Sequence, residues 1–177
     1  MFVKALFGLL PFLSSALAVM MISPVASEGE LCLTVKDKQA IAGAKVQLEP
    51  CLVEADSSIS KSKYQQWNDI NKNGEGLQQI VLANSGDKLC LDKGADDSEF
   101  GSGLTIENCG NPKPTPAQLW LYREQQWLMT SFDDESRWRC LDAELESTAN
   151  DSQKDRNVKD VRTYTCGATS NQSWDIQ

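Results

Sequence analysis

The chain contains no histidine among its 177 residues. This absence excludes the serine–histidine–aspartate and cysteine–histidine mechanisms of catalysis, together with zinc sites that use imidazole. No two of the six cysteines lie within four residues of each other, so the usual thiolate spacing of a metal site is missing too. The sequence therefore predicts no catalytic residues and no enzyme activity, and neither a metal nor a cofactor is expected.

Long apolar runs are also missing, except at the N-terminus. Residues 5–18 follow Lys4, are mostly apolar and end in small residues, which is typical of a secretory signal peptide. A proline and two serines interrupt this run, which is shorter than the roughly 20 residues of a membrane span unless it continues through residues 19–22. A cleaved signal peptide is favoured, and an uncleaved anchor stays open as the alternative. Residues 19–22 have the composition of a β-strand that the folded domain could use, so we expect cleavage after Ala18. A second cleavage site after Ala26 stays open.

Basic residues are scarce relative to acidic ones. Without residues 1–18 the chain has 159 residues, of which 16 are basic and 25 acidic, a net charge of −9. This length suits one domain with a real core. Because nucleic acids and anionic membranes are bound largely through Lys and Arg, the sequence predicts no nucleic-acid partner and no membrane insertion after signal cleavage. Oligomerisation is left open.

The six cysteines follow a signal peptide and therefore imply disulfides, for which 15 connectivities exist. They fall in order as pairs that are 19, 19 and 26 residues apart, and Leu follows the first member of each pair. This spacing predicts three local bridges: Cys32–Cys51, Cys90–Cys109 and Cys140–Cys166. In the chain-entropy model each bridge stabilises the fold by about 3 kcal/mol.

A Gln-x-Trp motif recurs at intervals of 53 and 54 residues and ends at Trp67, Trp120 and Trp174. Three such periods fill residues 19–177, with repeats at roughly 19–70, 71–123 and 124–177. Each tryptophan is predicted to enter a shared core. The similar tripeptide ending at Trp127 is out of phase, and we assign it to a neighbouring strand.

Short β-type segments alternate with turn residues along the chain. The segments are 46–48, 80–82, 104–106, 127–129 and 161–164, and the turns lie at 73–74, 85–86 and 101–103. No stretch keeps a helical period for long. The sequence predicts an all-β domain in which hairpins cap a closed barrel, a β-trefoil of three Gln-x-Trp repeats.

The Cys-Leu-Asp starts, the second cysteines and the Gln-x-Trp ends together resemble the ricin B-type (R-type) lectin family over residues 19–177. The resemblance implies a secreted carbohydrate-binding protein with one potential pocket per repeat for galactose-like sugars. Its partners would be glycans on glycoproteins, glycolipids or polysaccharides. In such a pocket a carboxylate accepts hydrogen bonds from sugar hydroxyls, an amide donates and accepts, and an aromatic face packs on the sugar ring.

The third repeat matches the pocket that the resemblance implies. Its residues at the matching positions are Asp142, Arg162, Tyr164, Asn171 and Gln172. Arg162 stands where the family more usually has Gln, although it can still donate to a hydroxyl. This repeat is thus expected to bind a terminal galactose or N-acetylgalactosamine.

The first two repeats lack most of the implied pocket residues. The second repeat keeps Asp92 and Gln118 but has Thr105, Glu107 and Ala117 at the other positions. The first repeat keeps Gln47 and Gln65 but has Thr34, Glu49 and Tyr64. Both pockets are expected to be inactive.

Less specific interpretations stay open beside these. Asp142 also suits a turn, and Tyr164 suits an ordinary exposed strand. The polar segment 144–160 could extend the pocket or obstruct it. A trefoil scaffold without sugar binding could instead serve as a protein-interaction or protease-inhibitor module. A glycoside hydrolase using Asp92 and Asp142 as paired carboxylates is disfavoured, because no deep cleft is implied.

The segment Asp69–Gly74 has the opening pattern of a calcium loop. Such a loop ends in a bidentate Glu at its twelfth position, where this chain has Ile80. A hairpin turn at Asn73-Gly74 explains the same residues. The sequence therefore favours a turn here.

Overall fold

The fold is taken from a computed structural model of the chain. It describes residues 19–52, 63–68, 76–86, 88–94, 103–110, 113–124, 127–130, 139–145 and 157–177. The predicted signal peptide, the calcium-like segment 69–74 and most of the segment 144–160 lie outside the described residues.

Twelve short strands form the regular structure of the described residues. They are β1 (Ile22–Pro24), β2 (Leu31–Val35), β3 (Ala44–Pro50), β4 (Trp67–Asn68), β5 (Val81–Leu82), β6 (Leu89–Asp92), β7 (Thr105–Asn108), β8 (Trp120–Arg123), β9 (Trp127–Thr130), β10 (Arg139–Ala143), β11 (Lys159–Thr165) and β12 (Trp174–Ile176). Their only helical companions in this part of the chain are single 3-10 turns. The all-β fold class is confirmed, and none of these turns has the length and apolarity to cross a membrane.

Three antiparallel hairpins, β2–β3, β6–β7 and β10–β11, form one group of strands. The hairpins also pair with one another. Lys45 on β3 lies opposite Thr105 on β7, and Asp160 on β11 lies opposite Gln47 on β3. An isolated bridge from Gly103 to β11 completes the triangle. The three hairpins therefore close on one another as a cap.

The remaining strands run in the order β12, β1, β4, β5, β8, β9. Regular antiparallel pairing joins β12 to β1, β4 to β5 and β8 to β9. Single bridges from Met20 to Trp67 and from Gln78 to Trp120 supply the links between these pairs. Trp127 begins β9, the strand beside the one that begins at Trp120. Trp127, the last residue of the out-of-phase tripeptide, thus lies on the neighbouring strand, as predicted, and the two glutamines before it lie outside the described residues.

The N-terminal strand begins three residues later, and ends two residues later, than predicted. Residues 19–22 were expected to form it, but β1 covers Ile22–Pro24. The reason is a change of partner along the segment. Met20 exchanges two backbone hydrogen bonds with Trp67, whereas Met21 exchanges two with Gln177, and pairing with β12 continues from Ile22.

The three repeated tryptophans are 0% exposed and belong to one core cluster. Each indole N–H donates to the carbonyl of the leucine that follows a first cysteine. The acceptors are Leu33 at 3.1 Å, Leu91 at 3.0 Å and Leu141 at 2.9 Å. Because a buried indole N–H without an acceptor would be unfavourable, this bond fixes each ring against its own hairpin.

Tyr122 on β8 is a further buried aromatic residue, whose hydroxyl donates to the Trp174 carbonyl at 3.3 Å. Burial, with a smaller contribution from the Asp175 carboxylate, raises the pKa of Tyr122 above its ordinary value. The neutral phenol therefore joins β8 to β12 in the native state.

Disulfides join Cys32 to Cys51, Cys90 to Cys109 and Cys140 to Cys166. These are the pairs that the spacing predicts. Each first cysteine lies on the first strand of a hairpin, and each second cysteine directly follows the second strand. Each bridge therefore ties a single hairpin at its open end.

Two equivalent turns have the same backbone conformation but different residues at the left-handed position. Ser27 donates to the Pro24 carbonyl at 2.8 Å and Ser85 to the Leu82 carbonyl at 2.7 Å, and the next residue is left-handed in both turns. That residue is Glu28 with φ 52° in the first turn and Gly86 with φ 67° in the second. Only glycine adopts this conformation without a steric cost.

We expect Glu28→Gly to raise the free energy of unfolding by about 0.5–1 kcal/mol. Gly86→Ala should lower it by a similar amount, because the added Cβ meets no atom within 4 Å and only the backbone conformation opposes it. Urea unfolding curves measure both effects. Equal stability of Glu28→Gly and the wild type would show that Glu28 is not strained in solution.

Candidate functional site

Each hairpin carries an equivalent group of residues, which we call a corner. A corner contains the residue two places after the first cysteine, the residue opposite it on the second hairpin strand, and the Gln of the Gln-x-Trp motif. Corner 1 is Thr34, Gln47 and Gln65; corner 2 is Asp92, Thr105 and Gln118; corner 3 is Asp142, Arg162 and Gln172. The first two members of each corner are direct partners in the strand register.

The corner glutamines are buried and make the same backbone contacts three times. Each side-chain oxygen accepts from the residue after a second cysteine, namely Leu52, Gly110 and Gly167, at 2.8–3.0 Å. Each amide nitrogen donates to the residue before that cysteine, namely Pro50, Asn108 and Thr165, at 2.9–3.1 Å. The glutamines therefore hold the hairpin ends in place, whatever else they contact.

Corner 3 converges on the carboxylate of Asp142. Its Oδ2 accepts a hydrogen bond from Gln172 Nε2 at 3.0 Å, and its Oδ1 lies 3.4 Å from Arg162 Nε. The Asp142 side chain is 8% exposed and that of Arg162 is 34% exposed. An ionised carboxylate has about four acceptor sites, so two donors still leave room for sugar hydroxyls.

Tyr164 lies two residues from Arg162 on β11, so both side chains are on the same face of the hairpin. The Arg162 guanidinium lies 5.1 Å from the centre of the Tyr164 ring. Asn171 is half-buried and sits beside Gln172 in the 3-10 turn that precedes β12. The structure thus brings four of the five sequence-predicted residues into direct contact, and it places Asn171 next to them along the chain.

Corner 2 has the same aspartate in a different arrangement. Asp92 Oδ1 accepts from the backbone N–H of Gly94 at 2.7 Å and so caps its own turn. Gln118 also accepts from Gln79 Nε2 at 3.0 Å, a contact that Gln172 does not make with any residue that the structure describes. Glu107 stands where an aromatic ring would have to lie. In the described part of corner 2, the carboxylate is therefore held by its own backbone, and the position that corresponds to Tyr164 has no aromatic ring.

Corner 1 uses its polar groups internally. The Thr34 hydroxyl donates to the Cys32 carbonyl at 2.7 Å and accepts from Gln65 Nε2 at 2.9 Å. Gln47 Nε2 donates to Glu49 Oε1 at 2.8 Å. This corner has no carboxylate at the central position, so it lacks the group that converges in corner 3.

Sequence reasoning missed one neighbour of each corner. This neighbour is the residue that faces the second corner residue from the next hairpin. These facing residues are Asp160 opposite Gln47, Lys45 opposite Thr105 and Gly103 opposite Arg162. No local pattern marks them, because each belongs to a hairpin distant in sequence. No group of three or more metal-binding side chains occurs among the residues that the structure describes.

Solved structures with the same architecture cover almost the whole chain. The β-trefoil lectin of the Vibrio vulnificus hemolysin/cytolysin, with N-acetyl-D-lactosamine bound, is 21% identical with a TM-score of 0.58, over 92% of this chain and 96% of that one. The chain has the β-trefoil fold of R-type lectins. The C-half of an earthworm R-type lectin, in complex with GalNAc, is 12% identical with a TM-score of 0.56, over 90% of this chain and 97% of that one.

The trefoil also matches the designed three-fold symmetric protein ThreeFoil, with 19% identity and a TM-score of 0.55 over 89% of this chain and 96% of that one. No protein-family model matches the chain, and no curated protein matches it in sequence. The similarity to these solved structures is therefore one of fold. A function can be inferred only from the side chains of the corners.

Proposed function

We propose that this β-trefoil is a secreted lectin that binds a terminal galactose or N-acetylgalactosamine through corner 3, with Tyr164 and Asn171. The observation that carries the proposal is the convergence of Gln172 and Arg162 on Asp142. These donors fix the carboxylate, and the Arg162 guanidinium also lies 5.1 Å from the centre of the Tyr164 ring. A carboxylate and an aromatic ring in one corner suit a sugar with adjacent hydroxyls on one side and an apolar C–H face on the other.

The three corners support a single binding site. Only corner 3 combines a carboxylate that does not cap its own turn with a neighbouring aromatic ring. The proposed repeats, at roughly 19–70, 71–123 and 124–177, would thus share one scaffold and differ in function. A monovalent shallow pocket of this kind should bind a monosaccharide with a Kd near 1 mM, or about −4 kcal/mol. Clustered glycans would then be needed for avidity.

The three disulfides support secretion, because such bridges persist in oxidising compartments. The lectin structures with bound N-acetyl-D-lactosamine and GalNAc support a galactose-type ligand by analogy of fold. The lectin would catalyse no reaction.

The test is a titration of the mature protein with galactose, N-acetylgalactosamine and glucose, followed by amide chemical shifts in NMR spectra. We expect saturable shifts at corner 3 for the first two sugars and weaker shifts for glucose, whose 4-hydroxyl has the other orientation. Absence of saturable shifts with every sugar would favour a trefoil scaffold that acts through protein contacts.

A further inference from the structure

Arg162 distinguishes corner 3 from the other two corners. The matching residues, Gln47 and Thr105, are neutral. Arg162 Nε lies 3.4 Å from Asp142 Oδ1, and the guanidinium lies 5.1 Å from the centre of the Tyr164 ring. The two terminal nitrogens donate to no atom of the residues that the structure describes. Guanidinium has five N–H donors in a planar fork, so four of them are available to a ligand.

In the ion pair of corner 3, Arg162 is more exposed to solvent than Asp142. The Asp142 side chain is 8% exposed and the Arg162 side chain 34% exposed. The second carboxylate oxygen of Asp142 is covered by the amide of Gln172. A ligand that approaches from solvent therefore meets the guanidinium before it meets the carboxylate.

The residue that faces Arg162 from the next hairpin has no side chain. Corner 1 has Asp160 at this position and corner 2 has Lys45, whereas corner 3 has Gly103, which lacks a side chain. Among the residues that the structure describes, a Cβ built at Gly103 would meet the Val161 carbonyl oxygen, at 3.7 Å, and no other atom within 4 Å.

We propose that corner 3 prefers a galactose-type sugar that carries an anionic group, a carboxylate or a sulfate, bound by the terminal nitrogens of Arg162 on the side of Gly103. The inference rests on the proposed lectin function and names its ligand class. The fork of a guanidinium matches two oxygens of either group. The net charge of −9 without residues 1–18 opposes this preference little, because charges more than about 8 Å from Arg162 are screened at physiological salt.

The experiment compares N-acetyllactosamine with its sulfated and its sialylated forms by calorimetry on the mature protein. We expect at least one anionic form to bind about tenfold more tightly than the neutral sugar at physiological salt, and this ratio should shrink in about 1 M salt. The sulfated and sialylated arms distinguish the two sources of the anion.

Three variants locate the preference. Arg162→Gln removes the cation and should bring the ratio close to one. Gly103→Asp places a carboxylate opposite Arg162, as Asp160 stands opposite Gln47, and should also abolish the preference. The matched control is Lys45→Asp, which makes the protein more negative at the equivalent position of corner 2 and should leave the ratio at its wild-type value.

Equal affinity of the wild type for neutral and anionic sugars would overturn this inference and leave the proposed lectin function standing. The same conclusion follows if Arg162→Gln keeps the preference, or if Lys45→Asp abolishes it as Gly103→Asp does. Failure of every sugar to bind would overturn the proposed function, and the inference with it.

Discussion

Replacing Asp142 with alanine should lower the affinity for galactose by about 100-fold or more. The carboxylate would accept two hydrogen bonds from sugar hydroxyls, and each bond to a charged group contributes about 1.5–3 kcal/mol. A loss of about 3 kcal/mol corresponds to roughly 100-fold in Kd. The affinity is best followed on a surface that displays many galactose residues, because the monovalent complex is weak.

The control for this prediction is Asp92→Ala in corner 2. Asp92 occupies the same position after its cysteine but bonds to the backbone of Gly94, so its removal should leave sugar binding unchanged. Asp142→Asn keeps the size of the side chain and separates loss of charge from local collapse. Near-wild-type binding by Asp142→Ala, with its melting curve intact, would refute corner 3 as the site even in a protein that binds sugar.

A chain that starts at Ser27 should be less stable than one that starts at Val19 by about 4 kcal/mol or more. The shorter chain lacks β1, whose Ile22 side chain is 0% exposed in the core. Loss of one such side chain alone costs about 2–5 kcal/mol. The truncation also breaks the backbone bonds of Met20 to Trp67 and of Met21 to Gln177, and it leaves β12 without its partner.

The loss is large beside a typical domain stability of about 5–15 kcal/mol. Urea unfolding of the two chains measures it. Deletion of Val19 alone is the matched control and should have little effect, because this residue is 48% exposed. Equal stability of the Ser27 and Val19 chains would show that β1 is dispensable.

This prediction bears on the site of signal cleavage. A cut after Ala26 would remove β1, whereas a cut after Ala18 would preserve it. We therefore propose that the mature chain begins at Val19, which mass spectrometry of the secreted protein would test.

The sequence predicted those features that each third of the chain needs for itself. Each hairpin has its own disulfide and its own buried indole, so its cysteines and tryptophan recur in the same order in every repeat. The disulfide pairs and the core tryptophans could therefore be predicted without coordinates. The resemblance to R-type lectins named Asp142, Arg162, Tyr164, Asn171 and Gln172 as pocket residues. Three of them meet for a local reason, because Asp142 pairs with Arg162 inside one hairpin and Gln172 returns to that hairpin's end.

Only the tertiary structure decided how equivalent residues differ in use. Asp92 and Asp142 each follow a Cys-Leu dipeptide in their own repeats. Asp92 caps a turn, whereas Asp142 accepts a hydrogen bond from Gln172 and lies beside Arg162. The absence of a side chain opposite Arg162 likewise depends on Gly103, which belongs to another hairpin. Sequence patterns predict contacts between residues that are close along the chain. These contacts instead depend on the register between segments that meet only after the chain has folded.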